Sequence, residues 1–156
     1  MLNQIDFYHL KNDNFARPAI SIAEKVLVNS AKLLILAPEN KLSDLSVRLW
    51  SDKTDSFLAH GIDNDDVSDF ATIWLSSSTE KNPISADHII LTSGLSIDDI
   101  SSFKRVFNLF DGSSQTATEQ ARNQWRTWSS NPEHLCRYFT QTDSGGWQYT
   151  ASNAGE

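Results

Sequence analysis

The sequence predicts an α/β domain built on a mostly parallel sheet and closed by a C-terminal β-hairpin, and three observations predict it. A stretch with helical apolar spacing, Ile20, Ala23, Val26, Leu27 and Ala31, lies between two apolar runs, IDFYHL at 5–10 and LLILA at 33–37. The second run is continuous instead of alternating, as in a strand covered on both faces of a parallel sheet. Near the end, CRYFTQ and GWQYTA flank Asp143-Ser144-Gly145-Gly146, where glycine supplies the positive φ of a tight turn.

In chain order, strand 5–10, a helix from about Arg17 to Lys32 and strand 33–37 make an opening βαβ unit. Asn40 is placed to cap a helix running to about Trp50, with Leu42, Leu45, Leu49 and Trp50 at positions that one helical face can gather. SFLAHG and the acidic DNDD then read as loop. ATIWLS at 71–76 and HIILTS at 88–93 read as interior strands separated by a loop with Asn82-Pro83. SIDDISSF is a short helix and RVFNLFD a strand; the Asp111-Gly112 turn introduces a long helix over SSQTATEQARNQWRTWSSN, capped by Ser113 or Ser114. At 156 residues without a low-complexity linker, the chain reads as one domain, 1–156.

Composition narrows the function. Cys136 is the only cysteine, so no intramolecular disulfide can form, and the opening residues lack the layout of a secretory signal. The cytoplasm is the expected compartment. No apolar run approaches the ~20 residues of a membrane span, so no membrane partner is expected. A formal charge of -7 repels phosphate backbones, which argues against direct nucleic-acid binding.

The opening βαβ unit invites a nucleotide-binding or small enzymatic domain as an alternative, but the residues for it are missing. Neither G-x-G-x-x-G nor G-x-x-x-x-G-K-[ST] occurs, so neither phosphate-cradling loop is available. His9, His60, His88 and His134 are scattered, with no metal-binding pair at helical spacing. Ser93-Gly94 lacks the G-x-S-x-G elbow of a serine nucleophile and reads as a turn. Asp65-Asp66 and Asp98-Asp99 lack the spaced oxygen ligands of a calcium loop. No catalytic residue, cofactor or metal is expected.

The last helix carries more information. At ~100° per residue, Ala117, Ala121, Trp125 and Trp128 share an apolar arc. Trp128 lies near its centre, as a core residue should. Trp125 lies at the edge beside Arg122 and Arg126, half exposed and bracketed by cations. Tryptophan and arginine dominate protein interfaces, and the guanidinium fork matches carboxylates, so the patch suits an acidic peptide. The same pattern also fits a surface cation–π lid with no partner. Phe57, in a polar-flanked loop, is either tucked under that loop or offered to a partner.

IDFYHL, RLW at 48–50, SFLAHG at 56–61, FKRVFNLFDG at 103–112, QARNQW at 120–125 and YFTQTDSGGWQ at 138–148 occur in an order and spacing that resemble one family, nearly end to end. That family is the chi subunit of the bacterial DNA polymerase III holoenzyme; residues 62–85 are the least distinctive part. The resemblance implies a three-layer, Rossmann-like domain without nucleotide or catalysis. It implies an accessory role linking the clamp-loader assembly to single-stranded DNA-binding protein through that protein's acidic C-terminal tail. By resemblance the tail pocket maps to Phe110, Arg122, Trp125, Arg126 and Trp50. Contact with the psi subunit, or another clamp-loader subunit, maps to Ser56, Phe57, Leu58 and His60.

Overall fold

The computed structural model describes residues 3–29, 31–51, 60–62, 72–80, 82–97, 100–144 and 146–152, with the side chains of residues 50, 51 and 60 outside that description. Strand β1 (Asn3–Leu10) leads through helix α1 (Ala16–Val28) to β2 (Leu33–Leu36). Helix α2 (Glu39–Ser51) and strands β3 (His60–Ile62), β4 (Ile73–Ser76), β5 (His88–Thr92) and β6 (Arg105–Asp111) follow. Helix α3 (Gln115–Ser129) then crosses to the hairpin of β7 (His134–Gln141) and β8 (Trp147–Ser152).

Among the described residues these strands form one sheet in the order β3-β4-β2-β5-β6-β1-β7-β8. Every pairing is parallel except β7 with β8, which is antiparallel. The opening βαβ unit is therefore real but not local: β5 and β6 insert between β1 and β2. The runs expected to be interior are interior, since β2, β4 and β5 each have a strand on both sides.

Alternation along β2 separates two cores. Leu33 and Ile35 join the apolar faces of α1 and α2, including Ala23, Val26, Leu45 and Leu49. Leu34 and Leu36 face the other way and join the cluster containing Ala121 and Trp128 of α3. Helices α1 and α2 thus cover one face of the sheet and α3 the other. A continuous apolar strand is what both layers require.

Several local expectations are corrected. Asn40 caps nothing: α2 begins at Glu39, and the Lys41 amide donates to the Pro38 carbonyl at 2.8 Å. Proline suits a helix entrance, and Glu39 complements the helix dipole there. Helix α1 ends at Val28, short of Lys32, because the Asn29 amide closes back onto the carbonyls of Val26 and Leu27. Of the short helix expected from SIDDISSF, Ile100–Ser102 is a 3-10 turn among the described residues. His60–Ile62, expected as loop, pairs with β4 as an edge strand. The cap of α3 is Ser114, whose Oγ accepts from the Ala117 amide at 3.2 Å.

Cys136 is fully buried on β7. Burial, reinforced by Asp6, pushes its thiol up to about 12. The thiolate is the reactive form, so native protein at pH ~8.5 should alkylate at least about a hundredfold more slowly than urea-denatured protein. Mass spectrometry of an iodoacetamide time course checks this; equal rates would contradict the burial.

Candidate functional site

Helix α3 is fixed to the sheet at several points, which sets what its outer face presents. Gln120 Nε2 donates to the Gly94 carbonyl at 2.8 Å, and Asn108 Nδ2 of β6 donates to Gln124 Oε1 at 2.8 Å. At its end the Trp128 carbonyl lies 2.9 Å from His134 Nδ1. Trp128 is 9% exposed and packs its ring 5.7 Å from Phe7.

Trp125, one turn earlier, is half-buried. Its ring lies 5.3 Å from Phe7 and 6.1 Å from Tyr138, both in T-shaped contacts. Arg122 and Arg126 are both exposed on the same stretch of helix. Among the described residues neither pairs with a carboxylate; the one hydrogen bond of Arg126 goes from Nη1 to Asn123 Oδ1 at 3.1 Å. Neither guanidinium stacks on the Trp125 ring: among the described residues the cation–π contacts are Arg105 over Phe107 and Arg137 over Phe139. The surface-lid reading is therefore not the arrangement found. The two cations and the open side of the indole remain available together.

Phe110 is 4% exposed, so it lies beneath the patch and not on it. Its ring sits 5.2 Å from His9 and 6.0 Å from Tyr138. Tyr138 bridges the buried Phe110 to the half-buried Trp125 and holds His9 Nδ1 at 2.7 Å through its hydroxyl. Burial pushes its phenol up, and the nearby Arg122 charge pulls it partly back, so it stays neutral near pH 7. Tyr138 was not singled out in the sequence, and His9 only as one of four scattered histidines. Their partners, Phe110 and Trp125, come from other elements, and no local motif marks them.

Trp50 stands near the end of helix α2, and its side chain lies outside the described residues. Its helix α2 packs against β3 and β4 on the α1 side, whereas α3 packs against β6 and β7 on the other. Ser56, Phe57 and Leu58 lie outside the described residues, and His60 opens the edge strand β3.

A different cleft, of about 330 Å³, opens at the C-terminal ends of the strands between Leu10, Phe15, Ser93 and Ser114. Asp13 and Asp111 line it, so a phosphate group would meet carboxylates there instead of cations. Ser93 and Gly94 form a left-handed turn, with φ of 53° and 78°. A Cβ at Gly94 would stand 2.7 Å from Gln120 Oε1, so glycine lets α3 dock on this turn. Among the described residues no group of three or more His, Cys, Asp or Glu could hold a metal ion, and no helix is long and apolar enough to cross a membrane.

Residues 2–133 match the family model described as DNA polymerase III chi subunit, HolC. A search of curated proteins returns no match. The matched stretch runs from β1 through α3, and the β7–β8 hairpin lies beyond it.

Proposed function

The chain belongs to the DNA polymerase III chi subunit family, and from that premise we propose that it ties the clamp-loader assembly to single-stranded DNA-binding protein by gripping that protein's acidic C-terminal tail. Chi is a non-catalytic accessory subunit that works in DNA replication and associates with other polymerase III holoenzyme subunits. The observation that carries the finer reading is a half-buried indole, Trp125, between two exposed guanidiniums that no described carboxylate neutralises.

The apolar end of the tail lies against the open side of Trp125. Arg122 and Arg126 meet its terminal carboxylate and acidic side chains through charge-assisted hydrogen bonds. Phe110, Tyr138 and Phe7 support the indole from below. A protein of charge -7 can hold an acidic peptide in this way because the field at the patch is set by the nearest charges; solvent and salt screen the distant ones. We assign the second subunit contact, to psi or another clamp-loader subunit, to Ser56, Phe57, Leu58 and His60.

A short acidic peptide ending in an apolar residue and a free carboxylate should bind saturably, and more weakly as salt rises. Trp125→Ala should cost about 2 kcal/mol of binding, roughly thirtyfold, and Arg122→Ala about 1.5–3 kcal/mol. Isothermal titration measures both. Wild-type affinity in the two variants would remove this patch from consideration.

A further inference from the structure

On the face of the sheet opposite α3, a cleft of about 250 Å³ lies between α1 and the strands β6, β1 and β7. Lys25 of α1, Arg105 of β6 and Arg137 of β7 line it, together with Tyr8, Phe107 and Trp147. Asp6, 0% exposed, holds both arginines: Arg105 donates from Nη2, and Arg137 from Nε and Nη2, each at 2.8 Å. Arg105 also lies 4.7 Å over the Phe107 ring, and Arg137 lies 5.2 Å over Phe139. Folding has therefore already removed the rotamer freedom of both guanidiniums, and an arriving anion meets donors fixed in place.

The charges do not cancel. Lys25, Arg105 and Arg137 line the cleft and Asp6 holds two of them; His88 also lines it, with Nδ1 2.9 Å from Asp87 Oδ1, and that carboxylate is matched by Lys104 at 3.6 Å. Lys25 is exposed and has no acidic partner among the described residues. Arg105 Nε is buried without an acceptor. In a chain of charge -7, this is a local cationic cleft. Beside it runs a ring ladder across three neighbouring strands, Tyr8, Phe139 and Tyr149, with centroids 5.2 and 5.6 Å apart, and Tyr149 is 57% exposed.

Cations beside exposed rings call for a ligand with both negative charge and apolar surface. A nucleic-acid strand fits poorly. The ring faces that bases would take are occupied, since the guanidiniums lie over Phe107 and Phe139 and the Tyr8 and Phe139 rings stack at 13°. The overall charge also repels a polyanion. Carboxylates match the guanidinium fork and bring fewer charges.

We propose that this cleft is a second docking site, for an acidic protein segment carrying aromatic or apolar side chains. Its carboxylates sit on Lys25, Arg105 and Arg137, and its apolar side chains lie against Trp147 and Tyr149. Arg137, Trp147 and Tyr149 belong to the hairpin beyond the matched residues 2–133. The site shares no residue with the α3 patch and stands without that reading.

The test is an NMR titration of isotope-labelled full-length protein with a capped six-residue peptide of four glutamates and two phenylalanines. Capping removes the free carboxylate that the α3 patch is read to need, so failure of one site is distinguishable from failure of the other. Amide shifts should concentrate on β1, β7, β8 and the end of α1, and should survive saturation with a carboxylate-ended acidic peptide. Lys25→Glu, which leaves the Asp6 bonds untouched, should weaken binding about fivefold or more. Arg137→Lys, which keeps the charge and loses the fork, should weaken it about tenfold. Shifts centred on α3, no shifts at millimolar peptide, or tighter binding of a thymidine oligonucleotide in the same cleft would each overturn the proposal.

Discussion

Phe7→Ala should lower the unfolding free energy by about 4 kcal/mol, the middle of the range for removing a buried phenylalanine, and the melting temperature by roughly 10 °C. The ring is 0% exposed in the middle of β1, with a strand on each side. It touches both α3 tryptophans, Trp125 at 5.3 Å and Trp128 at 5.7 Å. Truncation therefore opens a cavity where the sheet holds α3, and the flanking strands cannot close on it without breaking their ladders. Phe7→Leu, which keeps most of the volume, should cost about 1–1.5 kcal/mol. Urea unfolding measures both. The indole of Trp125 loses a supporting edge, so tail-peptide affinity should fall in Phe7→Ala by a smaller factor than in Trp125→Ala. A Phe7→Ala protein within about 1 kcal/mol of wild type would mean that α3 is held chiefly by its hydrogen bonds to Gly94 and Asn108.

What the sequence shows and hides follows from how local each signal is. The distinction between Trp128 and Trp125 was legible because helical periodicity alone places one at the centre of the apolar arc and the other at its edge. LLILA was legible because a strand covered on both faces must be apolar at every position. Asp6 was not. It sits in an apolar run, and its partners Arg105 and Arg137 are 99 and 131 residues away. Those three side chains converge only once β6, β1 and β7 lie side by side.

Strand β3 was missed for a related reason. Three residues give no period to detect, and Gly61 reads as a loop signal. In the fold the Trp74 side chain fills the space that a Cβ at 61 would need. The layer that α2 occupies was hidden because sequence order carries no layer information. In the fold the two cores put α2 on the face opposite α3, and the sheet order puts β2 and β5 between the strands α2 packs on and those under α3. Asn40 has the chemistry of a cap, but the helix starts two residues earlier than such a cap would set, directly after Pro38.

Arg137→Ala should destabilise the fold by about 3 kcal/mol, the lower end of the range for breaking a buried ion pair. The lower end applies because the arginine is 34% exposed while Asp6 is 0% exposed. The variant deletes two charge-assisted bonds at 2.8 Å and leaves Arg105 as the one charged group bonded to the buried carboxylate among the described residues. The bond to Asp6 also pushes the Arg137 guanidinium up from its ordinary value, so the arginine keeps its charge. The sharper expectation concerns Asp6→Asn, which is isosteric and neutral. In the wild-type background it should destabilise, because two guanidiniums lose their counter-charge. In the Arg137→Ala background it should recover about 1–2 kcal/mol, because the costly species there is the under-neutralised carboxylate. A double-mutant cycle by urea unfolding gives the sign. If Asp6→Asn costs the same in both backgrounds, residues 6 and 137 are not coupled, and the fixed guanidiniums of the α1-side cleft lose their physical basis.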